Sequence, residues 1–183
     1  QELASRGAED NNTANCLPPG MPGIMGQPYP MEFLMTPGKV TIVIEAYTQV
    51  RHIYTDGRPL PADPDPKFFG TSVGKWEGDT LVVETVGFSP LTQLAANTPH
   101  SDRMRIAERF RLTGPDVMTI ETTVTDPEAL TAPWTSSPRP GGRATRRPCS
   151  VAAATSPTSP ATTASAARWP SGWPSTRPSR APP

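Results

Sequence analysis

The chain has 183 residues with 17 basic and 17 acidic side chains, a length that suits one domain of ordinary size. It contains no run of about 18 apolar residues, so the sequence predicts no membrane span. The formal charge of zero conceals a division near residue 134. Residues 1–134 carry 10 basic and 17 acidic side chains, a net charge of −7, whereas residues 135–183 carry 7 arginines and no acid, a net charge of +7. Two different kinds of sequence are therefore joined.

The segment 135–183 contains ten prolines and lacks every branched or aromatic apolar residue except one valine and two tryptophans. Such a segment cannot bury enough apolar surface to offset the entropy lost on ordering, so we expect a disordered tail. A second interpretation is that a GC-rich gene has been read in the wrong frame here. Nucleic acid is not an expected partner. The basic tail is the one feature that favours it, and this support is lost if the tail is read in the wrong frame.

Residues 1–31 are rich in Asn, Pro and Gly and predict an irregular segment over a surface. The chain begins without Met or a recognisable leader, which suggests a mature or truncated fragment. Cys16 and Cys149 allow a disulfide on paper, but without paired histidines or a CxxC spacing they predict no metal site. No Walker loop or dinucleotide fingerprint is present, and no cofactor is predicted.

Residues 32–134 contain short strand signals in succession, and no long segment has the 3.6-residue period of a helix. Apolar and β-branched runs predict strands at Lys39–Tyr47 and Val50–Thr55. Two hairpins are predicted next, Ser72–Trp76 with Thr80–Val86 and Met104–Leu112 with Val117–Val124. The proline-rich residues 58–66 cannot form a central strand, and residues 87–102 predict a loop with a helical turn near 91–96. The expected fold is all-β, with antiparallel strands in an open barrel or sandwich.

Three carboxylates occur among apolar residues of these strands. Glu108 shares a face with Ile106 and Phe110, Glu84 alternates with valines, and Glu45 lies in a strand that is apolar on both faces. Because a buried carboxylate must be paired, hydrogen-bonded or neutral, all three are candidate catalytic acids or bases. The alternative is a structural Glu that pairs with a cross-strand arginine or lies at a barrel rim.

His100, in the loop 87–102, is the candidate general base, because imidazole titrates near neutral pH. Its alternative role is in a structural turn. Arg51, Tyr54 and Trp76 are the predicted ligand-binding residues, although an arginine in a strand also commonly pairs with a neighbouring acid. The run Gly70–Gly74 matches G-x-S-x-G, but a strand rather than a helix follows it, so no nucleophile elbow is predicted.

Several short sequence motifs, taken in chain order, resemble those of a large family of uncharacterised bacterial proteins that usually carry a secretory leader. They are CLPPG at 16–20, PYPMEF at 28–33, IYTDGR at 53–58, SVGKWEGDTLVVET at 72–85, PHS at 99–101 and ERFR at 108–111. The resemblance implies a secreted or periplasmic protein and carries no assigned activity. Members of the family continue with more strand and a Cys-His-Glu element. Codons for residues 153–156 can encode Cys-His-Glu in another frame, and in that case this chain has lost its last strands.

These observations leave two functions open. One is an acid/base enzyme that acts on a small organic or carbohydrate ligand. The other is a non-catalytic ligand-binding or envelope-associated structural domain. Convergence of Glu108, Glu84 and His100 on one cavity would favour the enzyme, and separate, paired acids would favour the binding domain. The oligomeric state is not predicted.

Overall fold

The computed structural model describes residues 12–13, 15–94, 98–114, 117–136 and, for the backbone alone, 139–141. In this part of the chain the fold is all-β, as predicted, and its nine strands form one sheet. The strands are β1 (Met31–Thr36), β2 (Lys39–Ile44), β3 (Gln49–Tyr54), β4 (Thr71–Glu77), β5 (Thr80–Val86), β6 (Arg105–Gly114), β7 (Val117–Thr125), β8 (Trp134–Thr135) and β9 (Arg139–Gly141). They lie in sequence order from β1 to β8, and β9 pairs with β7.

The predicted strands and hairpins are confirmed in place, except that the strand predicted over Lys39–Tyr47 ends at Ile44 and a 3-10 helix follows at Ala46–Thr48. β4 and β5 pair antiparallel around Gly78, and β6 and β7 pair antiparallel from Arg105↔Thr125 onward. β1 was not predicted as a strand, and it pairs with all six residues of β2. Residues 91–94 of the predicted helical turn contain no helix, and 95–97 lie outside the described residues.

The sheet is strongly curled into a half-barrel. In a flat sheet β1 and β6 would lie about 24 Å apart, because they are separated by five strand spacings of about 4.8 Å. Instead the rings of Phe33 on β1 and Phe110 on β6 make an edge-to-face contact, with centroids 6.0 Å apart. The concave face thus encloses the core, to which almost every strand contributes alternate side chains.

One strand pair departs from the antiparallel pattern. β3 and β4 run parallel, and only Ile53↔Ser72 and Tyr54↔Val73 are in register. Parallel neighbours require a long crossover connection, which residues 55–70 and their prolines supply. On the N-terminal side of these two pairs the strands are not paired, and residues 49–52 of β3 diverge from residues 67–71.

The two ends of the chain differ from expectation in part. Met21 and Ile24, in the segment predicted to cover a surface, have side chains 0% and 1% exposed and belong to the core. Thr135 and Arg139–Gly141, at the start of the predicted disordered tail, pair with β7. Ser136 donates its N–H to the Thr122 carbonyl, and the other tail residues, including Cys149, lie outside the described residues. Cys16 is exposed.

Candidate functional site

A belt of polar side chains crosses the apolar interior of the half-barrel. Its members face inward from four consecutive strands: Arg51 on β3, Ser72 on β4, Thr85 on β5 and Glu108 on β6. All four are at least 98% buried. A charged pair at this depth requires full hydrogen bonding, since each ion has lost its hydration.

Arg51 and Glu108 form a bidentate ion pair. Nη1 of Arg51 donates to Oε1 of Glu108 over 3.0 Å, and Nη2 donates to Oε2. Nη2 also lies 3.2 Å from the Ser72 hydroxyl and 3.1 Å from the Thr85 hydroxyl, and these two hydroxyls are 2.9 Å apart. Both carboxylate oxygens are therefore engaged by the guanidinium, and Glu108 occupies the structural role that was the alternative to catalysis.

Ser72 is consequently not an exposed nucleophile. It lies within β4, opposite Thr85 of β5, and its hydroxyl faces the guanidinium of Arg51. The G-x-S-x-G match is accordingly part of a strand, as the absence of a helical pattern after it predicted.

Two of the candidate acids lie outside the core, and the prediction that they are buried among apolar side chains is wrong. Glu84 points to the convex face of β5 and is exposed, because Leu81, Val83 and Thr85 are the inward residues of that strand. Glu45 follows the last residue of β2, is exposed, and donates its backbone N–H to the carbonyl of Pro30. Neither carboxylate lies beside Glu108.

His100 lies in a separate polar cluster at the loop between β5 and β6. Its Nε2 is 2.6 Å from the Thr92 hydroxyl and 3.0 Å from the Ser89 carbonyl, and its Nδ1 is 2.7 Å from the Ser101 carbonyl. Each ring nitrogen faces a carbonyl oxygen, which only accepts, so the nitrogen that carries a proton donates it to Ser101 or to Ser89. Phe88 packs against the ring edge-on, with centroids 6.1 Å apart. The imidazole thus ties the loop together.

Asp126 forms hydrogen bonds with Ser101, the residue after His100, and the sequence did not predict this connection. The Ser101 N–H and hydroxyl each donate to the buried Asp126 carboxylate over 2.7 Å, and the N–H groups of Glu128 and Ala129 donate over 3.1 Å. Burial raises the pKa of Asp126, but these hydrogen bonds, led by those from Ser101, outweigh it and hold the pKa below its usual value. The side chain joins the β5–β6 loop to the end of β7.

A cleft of about 340 Å³ opens on the convex face where β3 and β4 diverge. It is bounded on one side by β3 residues and on the other by the chain that leads into β4. The lining residues are Pro18, Gln49, Val50, His52, Tyr54, Lys67, Phe68, Phe69, Gly70, Thr71 and Ser72. The cleft is half open to solvent, and its lining combines aromatic rings with an amide, an imidazole, an ammonium and a hydroxyl.

The three predicted ligand-binding residues are in different places. Tyr54 lines the cleft, and the guanidinium of Arg58 lies 3.9 Å from the centre of its ring. Asp56 pairs with Arg58 and fixes it there. Trp76 is half-buried against the core and lies outside the cleft lining, and Arg51 is held by Glu108. Sequence patterns did not single out Phe68 and Phe69, although an aromatic pair directly after a proline-rich run was a usable signal.

Comparisons with protein-family models, with curated proteins and with solved structures gave no match for this chain. Within the described ranges, no helix has the length and apolar character needed to cross a membrane. The same ranges contain no group of three or more His, Cys, Asp or Glu side chains arranged to hold a metal ion. Any assignment of function therefore rests on the site itself.

Proposed function

We propose that this protein is a non-catalytic binding domain that holds a small organic ligand in the cleft between β3 and β4. The observation that carries the proposal is the position of the cleft. Neither Glu108 nor His100 lines the cleft, and of the buried polar belt only Ser72 reaches it. The lining consists of aromatic rings and polar groups rather than paired carboxylates.

The arrangement of the candidate acids supports binding over acid/base catalysis. Glu108 is closed off by Arg51, Glu84 and Glu45 are exposed at other places, and His100 is bonded within its own loop. A general acid and base must both reach the reacting atoms, within about 3 Å or through one water. None of the four predicted catalytic residues lines the cleft.

The backbone of the cleft is well defined, which favours a pre-formed site. Gly70 has a φ of +63°, and a Cβ there would lie 2.6 Å from the Val86 carbonyl oxygen. The segment 67–70 is also fixed from the β5 side, where Lys67 donates its N–H to Gly87 and accepts from Ser89. A pre-formed cleft loses less entropy on binding a ligand than a mobile one.

The proposal is tested with the fluorescent probe N-phenyl-1-naphthylamine, a small uncharged aromatic amine. We expect saturable binding to the full chain that is lost in Val50→Trp, since Val50 lines the cleft and is 46% exposed, so that an indole fills the space without disturbing the core. Val117→Trp is the matched control, because Val117 is an exposed strand valine outside the cleft lining. Equal binding by both variants, or no binding by the unmodified chain, would overturn the proposal.

Export to the periplasm or the medium is a separate proposal, supported by the resemblance to a family whose members usually carry a secretory leader. Fractionation of the native cells with compartment markers tests it. Recovery of the protein with the cytoplasmic marker alone would contradict it.

A further inference from the structure

The charges around the cleft are unevenly distributed. Its lining contains one lysine and one histidine, Lys67 and His52, and no aspartate or glutamate. Lys67 is exposed and forms no ion pair with another described residue. His52 is exposed as well, and its Nδ1 contacts the Thr41 hydroxyl over 3.2 Å. The wall thus presents cationic and donor groups without a carboxylate to neutralise them.

A second lysine lies on the same face of the sheet. Lys39 on β2 is directly opposite Tyr54 on β3, and residues opposite each other in an antiparallel pair project their side chains to the same side. Arg58, which covers the Tyr54 ring, is neutralised by Asp56 and adds little net charge. Lys39 lies beside Tyr54 and Lys67 lies in the cleft lining, and neither forms an ion pair with another described residue.

Asp65 lies two residues before Lys67 but forms no ion pair with it, and the outward carboxylates of the flanking strands are farther away. Glu84 is opposite Val73, the β4 neighbour of Tyr54, and Glu32 is opposite Val43, the β2 neighbour of Val50. Each is two strands from the cleft-lining residue, a separation of about 10 Å. That separation is about one Debye length at physiological ionic strength, so these carboxylates weaken the local positive potential without cancelling it at the wall.

The apolar residues of the cleft lining indicate which uncharged groups a ligand would carry. Phe68 and Phe69 offer ring surface, Tyr54 offers the ring face that Arg58 does not cover, and Pro18 adds a rigid apolar contact. Flat apolar groups stack well on such rings, and an ammonium beside them favours an anionic substituent.

We propose that the cleft selects a planar organic anion, an aromatic or conjugated carboxylate or sulfonate, whose charge is bound by Lys67 and whose ring system lies against Phe68, Phe69 and Tyr54. This inference rests on the proposed binding function and names the chemical class of its ligand. Thr71, which also lines the cleft, supplies a hydroxyl donor to the anion, whereas the Gln49 amide donates to the Tyr47 carbonyl over 2.6 Å.

The test compares two probes that differ in charge. 8-Anilinonaphthalene-1-sulfonate carries a sulfonate on the same ring system as the uncharged N-phenyl-1-naphthylamine. We expect Lys67→Met to weaken binding of the sulfonate about fivefold more than binding of the uncharged probe, the effect of one partly solvated charge contact. We also expect added sodium chloride to weaken binding of the sulfonate only.

Lys75→Met is the matched control. Lys75 is an exposed lysine on β4 that pairs with Glu77 over 2.8 Å and lies outside the cleft lining. Far-UV circular dichroism and thermal melting establish that each variant is folded.

The possible outcomes separate this inference from the proposed function. Loss of both probes in Val50→Trp together with selective loss of the sulfonate in Lys67→Met supports both proposals. Cleft binding of the uncharged probe with no effect of Lys67→Met on the sulfonate overturns the anion inference alone, and so does an equal effect of Lys75→Met. Insensitivity of both probes to Val50→Trp overturns the cleft itself.

Discussion

Arg51 and Glu108 form a buried ion pair between β3 and β6, two strands that are three positions apart in the sheet. In a flat sheet they would be separated by about 14 Å, so the contact exists because the sheet curls. Ser72 and Thr85, on the two strands between them, supply hydroxyl partners to the same guanidinium. The pair therefore acts as a polar cross-brace within an otherwise apolar core.

Replacement of Glu108 by glutamine is expected to be strongly destabilising. It leaves the Arg51 charge buried without a counter-charge, and breaking a buried pair in this way costs about 3–5 kcal/mol. Urea unfolding at neutral pH measures the loss. The double variant Arg51→Met/Glu108→Leu removes both charges and should recover much of the lost stability. A single variant with the unfolding midpoint of the unmodified chain would contradict the brace.

Asp126 should make stability depend on pH in the acid range. Its pKa in the folded protein lies below the usual value near 3.8, so its ionised form contributes stability that is fully present above that value. The contribution is lost as the pH falls through the lowered folded-state pKa. Asp126→Asn should cost about 1–3 kcal/mol at neutral pH, because it weakens the bonds to Ser101, Glu128 and Ala129.

Comparison of the two proteins isolates this carboxylate from the others. The difference in unfolding free energy between the unmodified chain and Asp126→Asn should be constant from pH 7 to about pH 5 and should shrink below about pH 4. Chemical unfolding at each pH gives the values. An unchanged difference at pH 3 would show that the carboxylate does not hold the loop through its charged form.

His100 and His52 should give opposite results when each is replaced by alanine. His100→Ala removes the contacts with Thr92, Ser89 and Ser101, and we expect a loss of about 1–2 kcal/mol of stability with unchanged probe binding. His52→Ala removes an exposed side chain that lines the cleft, and we expect weaker probe binding with nearly unchanged stability. Thermal melting and fluorescence titration measure the two properties. Loss of probe binding in His100→Ala would contradict the assignment of His100 to a structural role outside the binding cleft.

The inward face of β6 could be predicted from the sequence, because apolar residues alternate with arginines along most of this strand. Ile106, Glu108 and Phe110 are buried and Arg109 is exposed, as the pattern predicts. In β5 the run from Leu81 to Val83 is apolar on both faces, so alternation could not decide which face is inward. Glu84 was placed wrongly for that reason.

The cleft could not be predicted, because it depends on a pairing that joins distant parts of the chain. The parallel register of Ile53 with Ser72 creates the divergence of β3 and β4, and no local pattern encodes that register. Tyr54, a predicted ligand-binding residue, lines the cleft, whereas Lys67, Phe68 and Phe69 lie in a segment without strand periodicity. The burial of Arg51 is likewise a consequence of the curl.

Gly70 and Gly78 separate the effect of close packing from the effect of backbone conformation. Both have positive φ values, +63° and +61°, so a change to alanine costs about 1 kcal/mol of backbone strain at either position. At Gly78 a Cβ meets nothing within 4 Å, whereas at Gly70 it would lie 2.6 Å from the Val86 carbonyl oxygen and 2.9 Å from Thr85 Cγ2. Gly70→Ala should therefore be clearly more destabilising than Gly78→Ala in urea unfolding. It should also weaken binding of the uncharged probe, because the cleft wall at residues 67–71 must shift. Equal effects of the two substitutions on both measurements would mean that the wall is not held against β5 as described.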